Sequence, residues 1–390
     1  MQTVSNINKS MIDEILSEIQ ISDSKYEEAE QRYNAVGDWL NRKDSKVAEF
    51  NPKIYSQGSF LLGTATKPVT KKDEHDVDIV SELNLSKKTI SQSALKKMIG
   101  EEIKAYAEAR NMENEPSESK RCWTLIYANG TRFHIDVLPA IPDNRLFLEF
   151  RNDARLQSQW LETAIAITDR THSEFDIITD DWLVSNPKGY FQWFKERMIV
   201  QYEARFKVLK EAYRFEVEDL PFYKVRTPLQ HVIQLLKYHR DVMFENDTDN
   251  KPISIIITTL AAHAYNNERN LIDALVNVSA NMRSFITKGY DGCWQIVNPV
   301  NPNENFADKW VKNSKLAENF FKWLKRIEKD FSIENLTMGT QPLYESFQQS
   351  FGHSVAAVAL EKVAAKKQIP ISKPAPNVNI SPGRPWTSRF

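Results

Sequence analysis

At 390 residues, 41% apolar and 26% charged, the chain has the make-up of an ordinary globular protein of two or three domains. A formal net charge of −1 argues against a protein that grips extended nucleic acid, because such affinity comes largely from a basic surplus that neutralises phosphates. No apolar run approaches the roughly 18–20 residues of a spanning helix, the N-terminus MQTVSNINKSMIDE lacks the basic and apolar regions of a signal peptide, and Cys122 and Cys293 stand in no metal-type spacing, so a reduced cytoplasmic setting is expected.

Met11, Ile12, Ile15, Leu16 and Ile19 recur at helical spacing, and Tyr33, Val36, Trp39 and Leu40 resume it, which predicts one or two amphipathic helices over residues 5–48. Residues 54–150 change character. IYSQGSF, DVDIVSEL, RCWTLIYA and RFHIDVLPAI read as strands, a helix over 93–110 separates the second from the third, and Asn129-Gly130 reads as a hairpin turn. Beyond about Tyr190 the periodicity is helical almost throughout, as in TPLQHVIQLLKYHRDVMF and ISIIITTLAAHAYN. Residues 366–390 hold five prolines and no acidic residue. Such a segment buries too little apolar surface to order itself and is expected to be flexible.

The segment GSFLLGTATKPVTKKDEHDVDIV carries the chemistry. Gly58 and Gly63 have the separation of a phosphate-cradling P-loop, but Thr64 stands where its lysine belongs and Pro68 interrupts any helix, so that reading fails. What survives is a turn at Gly58-Ser59, between a strand and a short helix over 60–64, with backbone N–H groups and a hydroxyl able to meet an anion. Asp76 and Asp78 are two apart in the strand that follows, so they share a face while Val77 and Ile79 take the core. Carboxylates ~7 Å apart along a strand can converge on a divalent cation that also binds substrate phosphates. The strand RFHIDVLPAI repeats the construction, with Phe133, Ile135 and Val137 on one face and His134 and Asp136 on the other. Laid beside the first, it supplies a third carboxylate. A lone D-x-D is common on a solvated strand face. The joint pattern is rarer, and it points to a two-metal phosphoryl-transfer site.

QGSFLLGT, DEHDVDIV and FHIDVLPAIP resemble the GS, [DE]-x-D and third-carboxylate motifs of the polymerase β-like nucleotidyltransferases. Together with TPLQHVIQLLKYHRD, KPISIIITTLAAHAY and NPVNPNENFADKW they resemble more closely the bacterial CD-NTases, cyclic-oligonucleotide synthases related to cyclic GMP-AMP synthase and oligoadenylate synthetase. The likeness spans roughly residues 35–330. It implies an α+β fold, with a polymerase β-like core (a small mixed sheet with flanking helices) plus an α-helical lobe, and an active site in the cleft between them. The expected division is N-terminal helices packing on the core over 1–50, the catalytic core over 51–190, the helical lobe over 191–365 and the tail over 366–390.

Carried over position by position, the resemblance makes Asp76, Asp78 and Asp136 the catalytic ligands of Mg2+ (or Mn2+), with Asp136 nearest the attacking ribose hydroxyl. It places Gly58 and Ser59 on the donor triphosphate, with Lys237 and Ser254 meeting it from the helical lobe. Ile255 stands where some relatives stack an aromatic on the base. The implied substrates are NTPs, ATP and GTP foremost and pyrimidine NTPs among the candidates, and the implied product is a cyclic di- or trinucleotide messenger in antiphage (CBASS) defence. Some relatives offer the C-terminus to a conjugating protein partner, and Trp386 with Phe390 is the candidate anchor here. The alternative from the same chemistry is a terminal RNA nucleotidyltransferase, against which the neutral charge argues. His134 reads as a polar neighbour of Asp136 rather than a catalyst. Lys71 and Lys72 read as a solvated basic loop, NPVNPNENFADKW as a loop docking the two halves, and Trp294 as the tryptophan closest to a pocket.

Overall fold

The computed structural model describes residues 4–69, 75–127, 133–213 and 221–367. In chain order the first part runs α1 (Asn6–Ile19), α2 (Asp23–Leu40), β1 (Lys53–Ser56), α3 (Gly58–Leu61), β2 (His75–Glu82), α4 (Gln92–Ala109), β3 (Ser117–Glu118), β4 (Trp123–Tyr127) and β5 (Phe133–Pro142). It continues with α5 (Arg145–Phe150), α6 (Ser158–Leu161), β6 (Ile165–Ile167) and β7 (Leu183–Ser185). Helices then dominate, beginning with α7 (Pro187–Arg197), α8 (Ile199–Tyr213), α9 (Pro228–Met243) and α10 (Ser254–Ala264), and the last is His353–Lys367.

The strands form one mixed sheet in the order β1-β2-β5-β4-β3, with β6 on the far half of β5 and β7 beyond it. Among the described residues of this sheet, only β2 and β5 pair in parallel. The long connection that parallel neighbours need contains α4, whose Ser91 cap accepts a hydrogen bond from the Ala94 N–H. Alternation then sorts the two central strands. Val77, Ile79, Phe133, Ile135 and Val137 have no solvent exposure and form one core with α2 and α4. Their neighbours in sequence face the other way, where Asp76, Asp78 and His134 meet the helical lobe across a cleft.

That lobe is organised by α9, an almost wholly buried helix. Thr227 and Gln230 close a capping box around its start, and Pro228 takes the first turn, where a missing N–H costs nothing. The two N-terminal helices, expected together on the catalytic core, divide between the two cores. Tyr26, Ala29, Val36 and Leu40 of α2 join the sheet core, whereas Met11, Ile12, Ile15 and Ile19 of α1 join the helical one. The reason is the apolar stripe of α1, which packs against α9 and the last helix.

Other expectations need adjustment. The short elements between residues 143 and 190 carry no strong periodicity and were not foreseen. NPVNPNENFADKW holds a two-stranded ribbon, Val297–Asn298 with Asn301–Asn305, rather than a plain loop. It does touch the catalytic half, because the Asn303 amide donates to both Glu149 oxygens at 3.0 and 3.1 Å. Trp294 packs on Phe321 at 4.7 Å between ring centroids, away from the cleft. The last described helix runs to Lys367, taking in the first two residues of the expected tail. The hairpin at Asn129-Gly130, the lysines Lys71 and Lys72, and the tail residues 368–390 lie outside the described residues. Among the described residues, no helix is long and apolar enough to cross a membrane.

Candidate active site

Between sheet and helical lobe lies a cleft of about 1150 Å³. Gly58, Ser59, Asp76, Asp78 and His134 line it from the sheet side, and Lys237, Arg240 and Ser254 from the helical side. Six of the seven site residues expected from sequence therefore meet at one surface. Asp136, the seventh, is not on that lining but stands beside Asp78 in the parallel register of β2 and β5. Asp76 is likewise opposite His134.

Local chain geometry places the turn. The Gln57 N–H donates to the Asp78 carbonyl at 2.8 Å and ties the start of α3 to β2. Gly58 then adopts a φ of 62°, in the left-handed region that a side chain disfavours. A Cβ at position 58 would also stand 2.6 Å from Asp78 Oδ2. Glycine is thus required twice, once by backbone and once by the carboxylate beside it.

The three carboxylates differ in their surroundings. Thr124 Oγ1 donates to Asp136 Oδ1 at 2.5 Å and holds that side chain. The Asp76 side chain is 80% exposed, with Oδ1 3.8 Å from His134 Nδ1. Asp78 lies between them in the cleft floor. Burial, and then the negative charges of Asp136 and Asp76, push its carboxyl up to about 7 against the opposing pull of Lys237. Among the described residues, no group of three or more His, Cys, Asp or Glu side chains is arranged to hold a metal ion. An open set of hard oxygen donors fits Mg2+, which keeps several waters and takes only one or two carboxylates plus substrate phosphates. A divalent cation would also relieve the repulsion that raises Asp78. The residues therefore fit such an ion.

Opposite, the Lys237 ammonium is buried and donates to the Thr64 carbonyl at 3.0 Å. Burial, with help from Arg240, lowers its pKa to about 8, while Asp241 and Asp78 oppose the shift. Ser254 opens α10, and its hydroxyl accepts a hydrogen bond from Arg240 at 3.0 Å. Arg240 also donates to the Pro252 carbonyl at 2.8 Å and to Asp241 at 2.9 Å. Sequence reasoning missed Arg240 and the buried glutamines Gln230 and Gln234. The signal was available: in TPLQHVIQLLKYHR the polar residues 230, 234 and 237 fall on one stripe of the helix. Ile255 lines the cleft where a base-stacking aromatic was in question.

Comparison with known proteins agrees with this picture. Residues 7–166 match the family described as the Second Messenger Oligonucleotide or Dinucleotide Synthetase domain. The chain is 26% identical over 330 residues to a c-di-GMP synthase of Roseivirga ehrenbergii, covering 84% of this chain and 80% of that one. It is 23% identical over 324 residues to the cyclic dinucleotide synthase CdnG of Bradyrhizobium diazoefficiens, covering 77% and 71%. The solved structure of that CD-NTase in complex with GTP superposes with a TM-score of 0.65 at 21% identity, over 92% of this chain and 99% of that one. The di-nucleotide cyclase of Vibrio cholerae in complex with ATP, GTP and 5MTHFGLU2 superposes at 0.53, with 16% identity and coverages of 91% and 82%. These structural likenesses show a shared fold.

Proposed function

We propose that this chain, similar to the bacterial CD-NTases in its synthetase domain and its cyclic-dinucleotide-synthase relatives, is a nucleotidyltransferase that joins GTP into a cyclic dinucleotide. The observation that carries the reading is the pairing of Asp78 with Asp136 beside the Gly58-Ser59 turn, with Lys237 facing them across the cleft. The names of the relatives, a c-di-GMP synthase and a CdnG seen with GTP, favour guanine nucleotides.

In this reading the ribose hydroxyl of one nucleotide attacks the α-phosphorus of another. A P–O bond forms, the bond to the β-phosphate bridging oxygen breaks, and pyrophosphate leaves. Gly58 and Ser59 hold the donor triphosphate from the core, while Lys237 and Ser254 meet it from the helical lobe, with Arg240 orienting the Ser254 hydroxyl. Thr124 occupies Asp136 Oδ1, which leaves Oδ2 to accept the hydroxyl proton. Magnesium held by Asp76, Asp78 and Asp136 would make that hydroxyl easier to deprotonate and would stabilise the leaving oxygen. A second round in the same site closes the ring. The division into a catalytic core over 51–190 and a closing helical lobe over 191–365 belongs to the same proposal. So do action in the cytoplasm, a messenger role in antiphage defence and a protein partner for the C-terminal tail.

The test is incubation of the purified protein with single and paired radiolabelled NTPs and Mg2+, followed by phosphatase. Phosphatase-resistant product from GTP alone is expected. A linear ladder extending supplied RNA would instead favour a terminal RNA nucleotidyltransferase.

A further inference from the structure

Three of the buried polar side chains of helix α9, Gln230, Gln234 and Lys237, stand at i, i+4 and i+7, so they share one face. All three donate into a single short segment of the catalytic core. Gln230 Nε2 reaches the Leu62 carbonyl at 3.0 Å, Gln234 Nε2 the Ala65 carbonyl at 3.0 Å and Lys237 Nζ the Thr64 carbonyl at 3.0 Å. This segment continues directly from the Gly58-Ser59 turn, to which it bonds back through Gly63 N to Phe60 O at 3.2 Å and Thr64 N to Ser59 O at 2.9 Å. Its other end is tied to α1, where Lys67 N donates to the Ile19 carbonyl at 2.7 Å and Thr66 bridges Gln20.

Each glutamine also has a second partner outside the segment. Gln230 Oε1 accepts from the Thr227 N–H at 2.8 Å in the capping box of α9. Gln234 Oε1 accepts from Gln20 Nε2 at 2.9 Å. The fit is close: Gly63 has a φ of 64°, and a Cβ there would stand 2.5 Å from Gln230 Nε2. Neither glutamine lines the cleft, so neither touches substrate. A buried amide in an apolar helix is costly unless every group is bonded. Here the bonds all run to the segment behind the phosphate turn and to the elements that anchor it.

We propose that Gln230 and Gln234 are positioning residues that fix the Gly58-Ser59 turn to the helical lobe, so that the donor-phosphate site is complete only when α9 is seated against residues 62–65. The inference rests on the reading of Gly58-Ser59 as a phosphate turn. It predicts that loosening these two donors weakens nucleotide binding without disturbing the carboxylates, which are held by β2 and β5.

Gln230→Glu and Gln234→Glu isolate the effect. Glutamate keeps the accepting oxygen, and at the third position of a helix it preserves a capping box, but it replaces the donating amide with an oxygen facing a carbonyl. Gln234→Met removes the donor without adding charge and covers the case in which a buried carboxylate prevents folding. Turnover is measured with GTP and Mg2+, and binding separately with GTP and Ca2+ by equilibrium dialysis. The expected result is a KM and a Kd for GTP raised about tenfold or more in each variant. The Mg2+ concentration for half-maximal rate at saturating GTP should stay within about twofold of wild type, and thermal unfolding should remain cooperative. Unchanged GTP affinity in folded variants would overturn the proposal, as would equal losses in GTP affinity and Mg2+ response. Wild-type protein that binds GTP yet closes no ring would count against the synthase reading and leave this comparison intact.

Discussion

The Asp78 carboxylate fills the space that a side chain at residue 58 would occupy, with its Oδ2 2.6 Å from where a Cβ would lie. The turn and the Asp78 carboxylate are therefore fitted to one another, and neither can change alone. Gly58→Ala adds backbone strain at positive φ, about 1 kcal/mol or more, and must displace Asp78. Activity should fall by about a hundredfold or more, with the melting temperature lower by a few degrees. A variant that retains a tenth of wild-type turnover would show that the turn tolerates a side chain and that the fit is incidental.

The raised pKa of Asp78 gives a stability prediction with a definite sign. Its folded value of about 7 lies above the ordinary carboxyl value of 3.8, so the folded protein holds this proton more tightly than the unfolded one. The stability contributed by this group is complete below about pH 4 and is lost as pH rises toward 7. Asp78→Asn removes that loss. In EDTA its melting temperature should exceed that of wild type by roughly a few degrees at pH 8, and the difference should shrink toward pH 4.5. Added Mg2+ should stabilise wild type and have little effect on the variant. A difference that does not vary with pH would contradict the assignment of Asp78 as the carboxyl under strain.

Lys237 faces Asp78 across the cleft and bonds Thr64. Lys237→Ala removes a charge-assisted contact worth about 1.5–3 kcal/mol. KM for the donor NTP should rise tenfold or more while the Mg2+ dependence at saturating NTP stays near that of wild type. An unchanged KM would mean that the ammonium serves only the Thr64 carbonyl.

Truncation addresses the C-terminus. The last described helix ends at Lys367 against α1, where Lys366 pairs with Glu14 at 2.5 Å. Deleting residues 370–390 should leave NTP turnover within about twofold while weakening capture of any protein partner. Loss of synthesis in vitro on truncation would make the tail part of the catalytic fold.

Much of this site was legible in the sequence because strand alternation is strict. Once Asp76, Asp78 and Asp136 were placed on strands, the facing of each followed from period two, and the apolar partners Val77 and Ile135 fixed which side was core. The short elements near residues 145–185 were not legible. Each is only three to six residues long, too short to show a period. The placement of α1 was also hidden, since an apolar stripe says that a helix is buried but not against what. The stripe of Gln230 and Gln234 along α9 was there to be read, but not what it meets: their partners lie 168 and 169 residues away in sequence.

The central claim is that Asp78 and Asp136 form one phosphoryl-transfer site that closes a nucleotide ring. The most direct measurement compares wild type with Asp136→Asn, which keeps the shape of the side chain and an oxygen for Thr124 to donate to. Each is incubated with labelled GTP and Mg2+, treated with phosphatase, and its products resolved. The account predicts a phosphatase-resistant cyclic product from wild type and a loss of several orders of magnitude in the variant, with unfolding still cooperative. More than about a tenth of wild-type product from Asp136→Asn would contradict it.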